Sequence, residues 1–107
     1  MNNYRSMTPE EALMIAKSNG FAIEFMTDEQ RTPEIIFAAI GSIVDAIRFI
    51  PESKRTSEII LAAVKKDGTS ISIISDAQRT PEVCMAAVES APTAKRYLID
   101  EQLKYVE

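Results

Sequence analysis

A chain of 107 residues with 46% apolar residues, 26% charged residues and a formal net charge of −4 is one domain's length of ordinary globular composition, and so mild a charge excludes the clustered Lys and Arg of a phosphate-neutralising nucleic-acid binder. No apolar run approaches the ~20 residues that cross a bilayer, and Met1–Ser6 lacks the apolar stretch of a secretory signal, so neither membrane insertion nor export is expected. A single cysteine, Cys84, excludes an internal disulfide and suits a reducing compartment, which makes the cytoplasm the expected location.

The predicted elements recur at a fixed offset of 24 residues, starting from Thr8, Thr32, Thr56 and Thr80. A constant period of this size signals stacked repeats. The first unit, 8–31, opens on Thr8-Pro9-Glu10-Glu11. The threonine hydroxyl predicts an N-cap and proline sits where the N–H has no partner in any case. The glutamates lie at the positive end of the helix dipole, and Glu11 completes a capping box. The helix runs to Asn19-Gly20, where glycine suggests a left-handed cap. Ala22, Ile23, Phe25 and Met26 then predict a short amphipathic helix of about two turns, followed by the polar turn Asp28-Glu29-Gln30-Arg31.

The second unit, 32–55, repeats Thr32-Pro33-Glu34 and continues Ile35-Ile36-Phe37-Ala38-Ala39-Ile40. A helix apolar most of the way round is expected to be buried on several sides. Ile43-Val44 stands where the first unit has its glycine, so this turn is expected to be made differently. Ala46, Ile47, Phe49 and Ile50 form the short helix, and Glu52-Ser53-Lys54-Arg55 the turn. The third unit, 56–79, reads Thr56-Ser57-Glu58-Ile59-Ile60-Leu61-Ala62-Ala63-Val64 and reaches Asp67-Gly68. Its stretch Thr69–Ser75 alternates as a strand would, but register with its neighbours predicts a helix there. It closes on Asp76-Ala77-Gln78-Arg79. The fourth unit, 80–103, carries Thr80-Pro81-Glu82-Val83-Cys84-Met85-Ala86-Ala87-Val88, again lacks the glycine at Ala91-Pro92, and ends Asp100-Glu101-Gln102-Leu103. Lys104–Glu107 falls in the first columns of a fifth unit, closing the last hairpin or continuing a longer array.

The expected fold is all-α: one helical-repeat domain over 1–107, built as a short right-handed solenoid of four stacked helix-turn-helix hairpins. Glu11 replaces the apolar residue of Ile35 and Ile59, and Lys95 that of Ile47 and Ile71, as wettable ends of a stack require.

The run Thr56-Ser57-Glu58-Ile59-Ile60-Leu61-Ala62-Ala63-Val64-Lys65-Lys66-Asp67-Gly68, followed by a second short helix, resembles a helical repeat of bacteria and protists catalogued as a domain of unknown function (the forty-one-sixteen DUF). The likeness extends through all the units and departs from the pattern at Val44 and Pro92. It implies a helical repeat of unassigned role and no catalytic residue.

Without histidine, Ser-His-Asp and Cys-His dyads and His-based metal sites are excluded. Cys84 shares its column with Ile36 and Ile60 and is expected to be a small buried hydrophobe. Met14, Met26 and Met85 are expected in the core. No phosphate-binding glycine loop is present, and no cofactor or metal is expected. Arg31, Arg55 and Arg79, each three residues after Asp28, Glu52 or Asp76, are the candidate site. They form either a row of guanidinium forks for an acidic or phosphorylated partner, or local pairs that tie one unit to the next. The expected function is a protein–protein interaction module without catalysis, with neither nucleic acid nor membrane as partner. A second possibility is self-association into a homodimer through the end repeats, near Lys95 and the tyrosines Tyr4, Tyr97 and Tyr105. A third and weaker one is a hydrolase or small-ligand-binding protein using a carboxylate pocket.

Overall fold

The computed structural model describes residues 6–107. Their contacts gather them into two compact halves, one running to Ile50 and the other from Pro51 to Glu107. The first half contains α1 (Pro9–Ser18), a 3₁₀ helix Gly20–Phe25, α2 (Pro33–Ser42) and a 3₁₀ helix Val44–Phe49. The second contains α3 (Ser57–Lys66), 3₁₀ helix Gly68–Ile73, α4 (Pro81–Ser90), 3₁₀ helix Pro92–Tyr97 and a terminal pair, α5 (Asp100–Leu103) and Lys104–Val106. The turns Glu52–Lys54 and Asp76–Gln78 are single 3₁₀ turns. Every described element is helical, including 68–73, where local alternation suggested a strand. Tyr4 lies outside the described residues.

The long helices start as the threonines dictate. The hydroxyls of Thr8, Thr32, Thr56 and Thr80 accept from the backbone N–H of Glu11, Ile35, Ile59 and Val83 at 3.1, 3.3, 3.3 and 3.2 Å. Glu11 Oε1 also accepts from the Thr8 N–H at 2.9 Å. That backbone bond first, and the Thr8 side chain second, hold the exposed Glu11 carboxyl below its usual range. A lowered folded-state value means that the box stabilises α1 above the ordinary carboxylate range and releases it as pH falls through the folded value.

The helix ends differ from expectation. Asn19, Ile43, Asp67 and Ala91 terminate the four long helices with nearly identical extended φ of −149, −151, −149 and −145°. Each donates its N–H to the carbonyl four residues back. Among the described residues no glycine has a positive φ, so Gly20 and Gly68 are not left-handed caps. Ile43-Val44 and Ala91-Pro92 consequently turn the chain as the glycine-bearing units do. The glycines answer a different demand. A Cβ on Gly20 would strike the Ala39 carbonyl in the middle of α2, and one on Gly68 would strike the Ala87 carbonyl of α4. The same approach lets the Gly20 N–H donate to Ser42 Oγ at 3.1 Å and the Gly68 N–H to Ser90 Oγ at 3.2 Å. Glycine is present because two backbones touch.

In a 3₁₀ helix residues three apart eclipse, so each short helix has three straight rows. Gly20, Ile23 and Met26 form one buried row and Ala22 begins the second, while Phe21 and Glu24 face solvent. Ile47 and Ile71 repeat Ile23, all fully buried, each worth about 2–3 kcal/mol of apolar burial. Lys95 in that column is exposed, as is Glu11 in its own.

Ser70 breaks the apolar pattern. It is 5% exposed, its hydroxyl has no partner among the described residues, and Ala22, Ala46 and Ala94 hold its column. Ser70→Ala is expected to raise the unfolding free energy by about 1 kcal/mol, because a buried unpaired hydroxyl costs about 1–3 kcal/mol. Urea denaturation followed by circular dichroism reads this as a higher midpoint at constant slope.

Candidate functional site

The arginine column is built by the 3₁₀ geometry. Each short helix ends with carbonyls lacking an internal partner and with the negative end of its dipole. The turn that follows carries an arginine back onto that end. Arg31 donates through Nε to the Ile23 carbonyl at 2.9 Å and through Nη2 to Glu24 at 3.2 Å. Its Nη1 stands 3.7 Å from Asp28.

Arg79 repeats this and goes further. Nε donates to Ile74 O at 2.9 Å and Nη2 to Ile71 O at 3.0 Å. Nη1 donates to Tyr97 O at 2.6 Å and Gln102 Oε1 at 3.3 Å, and lies 3.2 Å from Asp76. One guanidinium therefore joins the short helix of its own hairpin to that of the next. Arg55 makes the forward half of the same clamp, donating through Nη1 to Ile73 O at 2.9 Å. Burial pushes the Arg55 guanidinium below its usual value, and Glu52 offsets this in part.

The three arginines are thus brought together with their acidic neighbours, but face inward. The Arg31 and Arg79 side chains are 14% and 9% exposed, against 67% and 62% for Asp28 and Asp76. Of the column, the carboxylates at the turns are what solvent reaches. Two glutamines that the sequence did not single out complete the arrangement. Gln78 Nε2 donates back to Glu52 O at 3.0 Å, and Gln102 accepts from the Ile99 N–H at 3.1 Å while holding Arg79. Their signal was available as the column Gln30, Gln78, Gln102.

Cys84 is buried, as its column implied, and its thiol donates to Arg79 O at 3.6 Å. Burial raises its pKa, with Arg79 opposing, so the thiolate is disfavoured. Among the described residues no group of three or more His, Cys, Asp or Glu is gathered as a metal site. A groove of about 340 Å³ in the first half runs between the starts of α1 and α2, past Ala12 and Ile35, and among the described residues Glu29 is the carboxylate that lines it.

The expectation that the long helices are buried on several sides is corrected on one face. Met14, Phe37 and Met85 are 69%, 39% and 48% exposed, although the sequence placed Met14 and Met85 in the core; Met26 is buried as expected. These residues occupy the sixth and seventh columns of their units. In the first half the face combines half-buried Leu13 and Ala38 with exposed Met14 and Phe37. In the second half, taken by itself, α3 and α4 carry half-buried Leu61, Ala62 and Ala86 with exposed Met85. Each on its own helix, Glu34, Glu58 and Glu82 lie about one turn before these residues, and Lys65 and Glu89 about one turn after them. Within each half these exposed apolar residues are bordered along their own helices by charged ones.

No family model matches this chain, and neither a curated protein nor a solved structure matches it.

Proposed function

We propose that this protein is a non-catalytic helical-repeat module that binds another protein through the exposed apolar face of its long helices. The observation carrying this reading is the exposure of Phe37, Met14 and Met85 in columns that are otherwise aliphatic, within a rim of Glu and Lys. The architecture we infer is a right-handed solenoid of four hairpins, of the repeat kind that the Thr-Pro-Glu and Ala-Ala-Val spacing resembles. Its support is the common cap, the common helix end and the bonds of Arg55 to Ile73 O and of Arg79 to Tyr97 O, each reaching the short helix of the following hairpin at the same offset.

The test places a photo-crosslinking residue at Phe37, Met85 or the solvent-facing Glu24 in cells that make the protein. The reading expects adducts from Phe37 and from Met85 and none from Glu24. Adducts from Glu24 alone, or none from Phe37 and Met85, overturn it.

A second reading, self-association through the end repeats, has its own observation. Val88 is half-buried where Ile40 and Val64 are closed, and it lines a shallow groove with Met85, Tyr105 and Val106. It predicts a dimer by light scattering that Tyr105→Asp dissociates; a concentration-independent monomer rejects it.

A further inference from the structure

Asn19-Gly20 is a dipeptide with its own chemistry. The Gly20 backbone nitrogen can attack Asn19 Cγ. A new N–Cγ bond forms, the Cγ–Nδ2 bond breaks, and the side-chain nitrogen leaves as ammonia with the proton from Gly20. Water then opens the resulting succinimide to aspartate or to isoaspartate. Asn19 is exposed, and glycine offers the attacking nitrogen the least steric cover of any residue.

The structure holds both reacting groups apart. The Gly20 N–H is engaged by Ser42 Oγ at 3.1 Å, and Asn19 Oδ1 accepts from the Phe21 N–H at 3.2 Å. Gly20 itself is buried with its α-carbon against the Ala39 carbonyl, so the backbone cannot swing to meet Cγ without lifting the short helix off α2. The second half carries the same device with an acid in place of the amide. Asp67 Oδ1 accepts from the Thr69 N–H at 3.0 Å, and Gly68 is held by Ser90.

We infer that Asn19 is a site of spontaneous deamidation whose rate is set by the Ser42–Gly20 latch, and that its two products have opposite fates. Aspartate at 19 reproduces the residue that already caps the short helix at 67, so that product keeps the fold and adds one negative charge. Isoaspartate routes the main chain through the side chain, inserts a methylene between α1 and Gly20, and displaces a glycine that has no room to move. That product loses the latch.

The experiment incubates wild type, Ser42→Ala and Ser42→Thr at mildly alkaline pH, folded and in urea, and follows ammonia loss and isoaspartate at Asn19 by peptide mass spectrometry. Wild type is expected to react more slowly folded than in urea. Ser42→Ala is expected to react about fivefold faster than folded wild type, the factor corresponding to one net hydrogen bond in the opening equilibrium. Ser42→Thr, which keeps the hydroxyl, is expected to stay near the wild-type rate, and Asn19→Asp to unfold at the wild-type urea midpoint. Equal rates for folded and urea-unfolded wild type, which needs no variant, overturn the proposal. So does a folded Ser42→Ala chain that reacts no faster than wild type, or an Asn19→Asp chain with a lowered midpoint.

Discussion

Arg79→Ala is expected to lower the unfolding free energy by about 3–5 kcal/mol. The guanidinium reaches three backbone carbonyls and Gln102 Oε1 while 9% exposed, so truncation strands acceptors that solvent cannot readily repair. Hydrogen bonds from a charged donor are worth about 1.5–3 kcal/mol each, and one fork shared among several is worth less than their sum. Arg79→Lys is expected to recover only part of the loss, because an ammonium is a point charge and cannot span acceptors on two short helices. Urea unfolding with unchanged slope measures both. A cost below about 1 kcal/mol for Arg79→Ala would return the guanidinium to the class of surface charges and leave it free for a ligand.

Gly68→Ala is expected to cost about 3 kcal/mol. The added Cβ meets the Ala87 carbonyl and the Ala91 nitrogen, and a backbone clash cannot be relieved by a rotamer change. Gly20→Ala, against the Ala39 carbonyl, follows the same logic. Gly41→Ala should do the opposite. Outside its own helix, no described residue lies within 4 Å of its Cβ position, and alanine gains about 0.5–1 kcal/mol over glycine inside a helix. The three glycine-to-alanine variants, compared by thermal melting, therefore separate close approach from flexibility. A neutral Gly68→Ala would mean that the short helix does not press on α4 as described.

What could be seen in the sequence was local. Thr-Pro-Glu specifies a helix start within a few residues, so four starts are legible without any tertiary knowledge. The short helices were legible as helical because Ile23, Ile47 and Ile71 repeat in register, and the period outweighed the strand-like alternation of 69–75. What failed was tertiary. A glycine after a helix signals either a left-handed cap or a close contact, and only the position of Ala39 and Ala87 distinguishes them. An apolar column does not reveal which side is covered, so Met14 and Met85 looked like core until their exposure was seen. Both sequence readings of the arginines, forks for a partner or local pairs tying units together, assumed carboxylates as their partners. Their acceptors are main-chain carbonyls, as with Arg79 and Tyr97 O, and carbonyls carry no sequence signature.

The central claim is that the arginine column holds the fold while the apolar face of the long helices meets the partner. Binding and urea stability measured together on the double variant Phe37→Asp/Met85→Asp test it most directly. Both side chains are substantially exposed, so the account predicts a midpoint close to wild type and loss of the partner that wild type binds. A double variant that keeps both its stability and its partner would contradict the account, and so would one that unfolds.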